Sequence, residues 1–314
     1  MDLNGTATPR QQAVANSGSA TGESNTTRAG RGSSTTLDAV LFVVLVGVAV
    51  ATLAGTTPGG SDAPRRVADE TADVVATSTT GVTYTRSGSI GGAGGPSVSV
   101  ERRASGTYAE LLAAALVTAP EFEQWSLTGG SGSFEDAVLN ATRRALPTRD
   151  ARVQVRATWR AYPGSALGRT VTAGDAPPRD ADVSVATVTV PSGFSSATRK
   201  YDPGNPGFAT LASAISRSVV EGLFPPGPTA DAMASEGPDR VVVASRYRAA
   251  SGVLGVTVDR ELRESNVEAA NEKLARALTP LVTANLNDEF DSARNAARST
   301  SVDRVRIVVR AWSP

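Results

Sequence analysis

Residues 151–162 read ARVQVRATWRAY, and residues 302–312 read VDRVRIVVRAW. In both stretches bulky apolar residues alternate with arginines or other polar side chains. A period of two marks a strand that buries one face and wets the other. Val153, Val155, Ala157 and Trp159 fall on one side of the first stretch; Arg152, Gln154, Arg156 and Thr158 fall on the other. The two stretches also align: Arg152-Val-Gln-Val-Arg156-Ala157 matches Arg306-Ile-Val-Val-Arg310-Ala311, each with a tryptophan close behind. Such strands need a sheet that is solvated on its arginine side and covered by helices on the other. The predicted fold class is therefore α+β, an antiparallel or mixed sheet with helices on one face.

Working outward, each strand follows a segment rich in Ala and Arg. Residues 134–146 (FEDAVLNATRRAL) place Phe134, Ala137, Val138, Ala141 and Ala145 on one helical face and end at Pro147. Residues 281–299 read as the corresponding helix. Two origins fit the likeness: duplication of a helix–strand half, or convergence in a chain rich in Arg and Val. Residues 181–190 (ADVSVATVTV) alternate as a further strand, and 240–247 (RVVVASRY) reads as another. Residues 208–224 predict a helix that stops at Pro225-Pro226. Residues 260–278 predict a charged helix, with Pro280 separating it from the next. The stretches 199–207 and 225–237 carry enough Pro and Gly to be read as loops. Upstream, Val67, Val74 and Val75 recur at helical spacing within 65–80, Tyr84 sits in a strand, and Gly88–Gly95 reads as a flexible connector. That connector lacks the Gly-Lys-Ser/Thr ending of a phosphate cradle.

The amino-terminal part differs in kind. Residues 1–36 are Gly, Ser, Thr, Ala and Asn with almost nothing bulky, a composition that cannot offset chain entropy by burial; they are read as a disordered tail. From Leu37 to Gly55 the chain reads LDAVLFVVLVGVAVATLAG, apolar all round, with Asp38 as its sole charge. At roughly 1.5 Å per residue this run spans about 28 Å, close to the hydrocarbon core of a bilayer. It is read as a single transmembrane helix, with 56–64 as a linker and 65–314 as one extracytoplasmic α+β region. Arg28 and Arg31 precede the run, and the next basic residues, Arg65 and Arg66, follow at a distance. The positive-inside rule then places the N-terminus in the cytoplasm and the C-terminal region outside. Arg31-Gly32 also sits where a prepilin-type signal is cut, which would start a mature chain at Ser33. An ordinary signal anchor is the other reading, and the gap Ser33–Thr36 before the apolar run favours it. Release of the outer region by cleavage near Thr52–Ala54 is a further alternative.

Composition narrows the chemistry. The chain has no Cys and no His, which removes disulfides, Cys or His nucleophiles and bases, Ser-His-Asp triads and N/S zinc sites. Basic and acidic residues balance at 31 each, so no net field recruits nucleic acid. Lys200 and Lys273 are the two lysines, and both lie in polar surroundings unsuited to a low-pKa amine. The oxygen-rich run Asn285–Asp291 lacks the turn, glycine and distal glutamate of a calcium loop. Glu121/Glu123 and Glu135/Asp136 are read as helix-start acids that complement the dipole. Asn140-Ala141-Thr142 matches an N-glycosylation acceptor on the outer side. No catalytic residue, cofactor or metal site emerges, and the expectation is a non-enzyme.

The runs RGSSTTLDA (31–39), RVADETADVVATST (65–78) and PPRDADVSVATVTVPSG (177–193) resemble an uncharacterised haloarchaeal family of single-span membrane proteins. That family is itself similar to pilin- and TadE-like minor components of archaeal type IV pilus or secretion machinery. The resemblance implies an accessory or minor pilin-like subunit of the cell surface. Its partners would be the lipid bilayer and pilin or secretion-system subunits, with cell-surface glycans as a further choice. A membrane-tethered receptor or carboxylate-based enzyme is the alternative. If the two Arg/Val strands share a sheet, Arg152, Arg156, Arg306 and Arg310 form a basic stripe able to dock an acidic partner.

Overall fold

The computed structural model describes residues 62–89, 96–129, 132–147, 151–201, 204 and 207–313. The tail 1–36, the apolar run 37–55, residues 56–61 of the linker and the signal residues Arg31, Gly32 and Ser33 lie outside the described residues, while 62–64, expected as linker, begin the first helix. Among the described residues no helix is long and apolar enough to cross a membrane.

The first described element is helix α1 (Asp62–Thr77). It buries Ala68, Thr71, Ala72, Val75 and Ala76, while Val74, counted above with the apolar face, is exposed. Two long strands follow, β1 (Thr79–Ser89) and β2 (Ser97–Thr107), paired antiparallel as a separate two-stranded sheet. Gly88 and Ser89 thus belong to β1 rather than to the connector. Gly88 lies so close to the backbone of Val242 that a Cβ would come within 2.8 Å of its Cα.

Helix α2 (Tyr108–Thr118) starts in a capping box, with Thr107 and Glu110 bonding each other's backbone N–H groups. From Ala109 to Val117 nearly every residue of α2 is buried, the continuous apolar run of a helix enclosed on all sides. Short strands β3 (Glu121–Phe122) and β4 (Trp125–Ser126) come next, then helix α3 (Gly132–Ala145). Glu121 therefore lies in a strand and does not start a helix. Both Glu121 and Glu135 are held by one buried guanidinium: Arg169 donates to Glu121 at 2.6 Å and to Glu135 at 2.6 and 3.1 Å. Glu135 does lie in the first turn of α3, as expected, and joins the ion cluster as well; for Glu121 the cluster alone accounts for the placement.

The main sheet is completed by β5 (Arg152–Arg160), β6 (Leu167–Ala173) and β7 (Val183–Pro191). A short 3₁₀ turn (Ala197–Arg199) leads into α4 (Phe208–Leu223), α5 (Pro226–Ala234), α6 (Pro238–Val253), α7 (Asp259–Arg263), α8 (Val267–Glu289) and α9 (Ala293–Ser299), and strand β8 (Arg304–Trp312) closes the sheet. The strand order is β4-β3-β6-β5-β8-β7, with every pairing antiparallel. Helix α1 packs on β7 and β8, α2 on β5, β6 and β7, and α3 on β6. One continuous core runs through the sheet and the helices. Its largest side chains, Trp159 and Tyr162, are fully buried, and Trp159 Nε1 donates to the Val302 carbonyl at 2.8 Å.

Three expectations fail for identifiable reasons. Residues 240–247 are not a strand but the middle of α6. The three valines favour a strand locally, yet Val243, Tyr247 and Ala250 recur at helical spacing and bury against the core, which overrides propensity. Residues 225–237 contain helix α5 despite their prolines. Pro226 sits in its first turn, where the missing N–H has no intrahelical partner in any case. Pro280 does not divide 260–299 at that point: α8 runs unbroken from Val267 to Glu289. Pro280 and Arg276, whose carbonyl the proline frees, are both exposed, so that oxygen is not sealed in the core. Leu274, Leu278, Val282 and Leu286 hold the opposite face in the core. The real breaks lie at Ser265–Asn266 and Phe290–Ser292, where Asn266 and Ser292 cap the following helices.

Candidate docking face

The two Arg/Val strands are neighbours at the centre of the sheet. In the β5–β8 register Gln154 faces Arg310, Arg156 faces Val308 and Thr158 faces Arg306. Directly opposed residues project from the same side of a sheet. Arg152, Arg156, Arg306 and Arg310 therefore share one face, opposite the face on which Val153, Val155, Ala157, Ile307 and Val309 meet the core. Arg160 and Arg304 extend the same two rows, so the face carries six guanidiniums. Both were present in the alternation of 151–162 and 302–312; continuing the count by one step at the strand ends would have found them.

The neighbouring strands add no acid. On β6 the outward positions opposite this row are Thr170 and Thr172, and on β7 they are Val185, Thr187 and Thr189. Arg152, Arg156 and Arg306 are exposed and have no ion pair or hydrogen bond among the described residues. The remaining three are lightly tied. Arg310 reaches Gln154 Oε1 at 3.5 Å, Arg160 donates to the Ser165 carbonyl at 2.8 Å, and Arg304 lies 3.5 Å from Asp303. Asp175, Asp180 and Asp182 sit in the β6–β7 connection, but none forms an ion pair with these arginines. Asp175 instead contributes its carbonyl, which accepts from Gln154 at 3.0 Å and covers that end of the face. Long arginine stems can lie over the small Thr and Val side chains while the charged ends stay hydrated.

The other sequence-derived sites are dispersed. Asn140 is exposed on α3 and its side-chain oxygen accepts from Arg143 at 2.8 Å. Thr142 of the same sequon is buried, with its hydroxyl donating to the Val138 carbonyl at 2.9 Å. The folded chain thus presents the sequon inside a helix rather than on a loop. Lys200 is ion-paired with Glu221, and Lys273 lies 3.1 Å from Glu261. In the run 285–291, Asn285 serves the packing of the fold. Its side-chain oxygen accepts from the Tyr162 hydroxyl at 2.7 Å and from the Ala166 amide at 2.9 Å. A cavity of about 430 Å³ between α4 and α8 is lined by Glu221, Glu268 and Glu272 together with Arg217. Two of those acids are already matched, Glu221 by Lys200 and Glu272 by Arg276.

A family model described as a family of unknown function (DUF7284) matches residues 37–312. No curated protein and no solved structure matches the chain.

Proposed function

The chain belongs to the DUF7284 family of unknown function, and from that premise we propose that it is a non-enzymatic, membrane-anchored surface protein that docks an acidic partner on the open face of its sheet. The observation that carries this reading is the row of uncompensated guanidiniums on β5 and β8. Charge complementarity selects the occupant: a protein surface rich in carboxylates, which arginine recognises in bidentate fashion.

Within that reading the apolar run 37–55 is the anchor. The family match begins at Leu37 and continues through the folded region, so the run and the α+β layer belong to one shared unit, while most of the tail lies outside it. Helix α1, the first described element after the run, packs on β7 and β8 of the sheet that bears the arginines. The N-terminus lies in the cytoplasm and the α+β region outside. The partner is the acidic face of a pilin-type or secretion-system subunit, and the protein is an accessory or minor component of that assembly. Catalysis by paired carboxylates has less support, because the acids that line the α4–α8 cavity are largely engaged with Lys200 and Arg276.

The test uses the tagged full-length chain, solubilised from its own membrane. Replacing Arg152, Arg156, Arg306 and Arg310 together by Gln abolishes co-purification of pilus or secretion subunits while leaving the thermal midpoint unchanged. Retention of those subunits by the fourfold variant overturns the docking face. Loss of binding to isolated cell-surface glycan, with subunit binding intact, would move the partner from protein to carbohydrate. Normal pilus assembly and secretion in a deletion strain overturn the accessory role. Mass spectrometry of the mature N-terminus separates a retained anchor (Met1 or Asp2) from a start at Ser33 or near Gly55.

A further inference from the structure

A second concentration of positive charge lies on the opposite part of the fold, in a cavity of about 430 Å³. Its walls come from the β1–β2 hairpin, the start of α3, the end of α2 and one side of α6. Arg86 of β1 and Arg246 of α6 both line it, and no Asp or Glu does.

Two other arginines set into this fold are matched by acids. Arg102 is paired with Asp239, and Arg169 with Glu121 and Glu135. Among the described residues Arg246 has no such counter-ion. Its guanidinium lies 5.4 Å from the Phe224 ring centroid and donates to the Thr118 carbonyl at 3.2 Å. Both contacts orient the group, but neither neutralises it. Arg86 has its guanidinium carbon 6.0 Å from the Tyr84 ring and no ion pair among the described residues. Burial, and after it the like charge of Arg86, pushes the pKa of Arg246 below the ordinary guanidinium value. Two part-buried like charges without an acid leave part of their desolvation cost unpaired. A ligand that supplies the missing negative charge removes it.

The rest of the wall defines the ligand further. Ser245 offers a hydroxyl beside Arg246, and the first turn of α3 at Gly132 and Ser133 opens onto the cavity, adding the positive end of its dipole. Phe134, Val242 and Ala249 give the cavity an apolar part, beside hydroxyl-bearing Thr85, Ser87 and Thr128. A cavity of this volume accommodates a small organic molecule rather than a bare ion. We propose that Arg86 and Arg246 form a binding site for a small organic oxyanion, a carboxylate or phosphate group carried on a compact apolar body. The site lies apart from the β5–β8 face and does not depend on the docking reading.

Thermal shift and calorimetry on the full-length protein, in anion-poor buffer, test the proposal with phenyl phosphate, phenylacetate, inorganic phosphate and, as a cationic control, benzylamine. Phenyl phosphate or phenylacetate raises the midpoint in a concentration-dependent manner, and benzylamine does not. Whichever of the two acts more strongly identifies the head group. Inorganic phosphate binds more weakly than phenyl phosphate, because it leaves the apolar wall unfilled. Arg86→Gln and Arg246→Gln each weaken binding by about tenfold or more, whereas Arg156→Gln on the docking face leaves it unchanged. Arg86 and Arg246 are both partly buried, and the midpoint of each variant without ligand shows whether it folds. Arg246→Met raises the midpoint without ligand, because it removes a part-buried cation that has no acid partner. The proposal is overturned if neither organic anion stabilises the protein, if inorganic phosphate binds as tightly as phenyl phosphate, or if Arg86→Gln binds them as the unaltered chain does.

Discussion

Gly222 lies inside helix α4, where alanine is ordinarily the better residue by about 0.5–1 kcal/mol. Here the tertiary environment reverses the sign. A Cβ built on Gly222 would lie 2.0 Å from Phe194 Cδ1 and 2.5 Å from Cε1. Carbon atoms in contact sit about 3.5–4.0 Å apart, so the ring would have to retreat by well over an ångström. It has little room. Phe194 is 5% exposed and stands edge-on to Trp159 with ring centroids 5.2 Å apart. Trp159 is itself pinned to the Val302 carbonyl, and the Phe194 amide donates to Ser192 Oγ at 3.1 Å, whose hydroxyl donates to the same carbonyl at 2.7 Å. Overpacking of a rigid core costs about 1–3 kcal/mol. Gly222→Ala is therefore expected to destabilise by about 1–2 kcal/mol net of the helix gain, a fall of about 2–8 °C in a domain of this size. Gly252 in α6 is the control, because a Cβ there meets nothing within 4 Å. Gly252→Ala is expected to raise the midpoint by about 1–3 °C. Thermal unfolding of the full chain, followed by near-ultraviolet circular dichroism, reads both. Phe194→Leu in the Gly222→Ala background should restore part of the loss, a coupling visible in a double-mutant cycle. If Gly222→Ala raises the midpoint as Gly252→Ala does, the packing assigned to Phe194 is wrong.

Two more outcomes follow from buried polar groups. Arg102 on β2 and Asp239 in the first turn of α6 form an ion pair whose side chains are 8% and 11% exposed, and it fastens the hairpin to the helix; Arg102→Met should cost about 3–5 kcal/mol in urea unfolding, and adding Asp239→Leu should recover most of it, because the damage comes from the stranded charge. Equal losses in the single and double variants would contradict this. The Tyr162 hydroxyl is pushed up to about 12, chiefly by burial, with Glu289 adding to the rise; the unfolded chain releases this proton near pH 10, so the stability it contributes is complete below pH 10 and is lost as pH rises to about 12. Alkaline unfolding monitored against Tyr162→Phe checks the sign: the variant should show a shallower decline across that window.

Local pattern determined much of the architecture. Alternation places residues on the two faces of a strand whatever its neighbours are, so β5 and β8, with their buried valines and outward arginines, and β7, with its buried Ala186, Val188 and Val190, could be read from residues 151–162, 302–312 and 181–190. Helical spacing did the same for α1, α3 and α4. The apolar run 37–55 and the Arg31-Gly32 flank lie outside the described residues. Where two local signals competed, the sequence misled. The valines of 240–247 favour a strand, the prolines of 225–237 a loop and Pro280 a helix end, and in each case burial of one face against a distant segment decided otherwise.

Partnership across the chain was settled by the tertiary structure alone. That β5 and β8, separated by more than half of the folded region, lie side by side and merge their arginines into one face depends on strand pairing, which no local period encodes. Arg169 gathers acids from β3 and α3, and Arg102 reaches from β2 to α6, so neither neutralisation is visible from sequence neighbours. Arg86 and Arg246 come together for the same reason, with no acid beside them. A residue's own sequence fixes the charge it carries and the face it occupies; which charges meet, and which remain unanswered, is fixed by contacts between segments far apart in the chain.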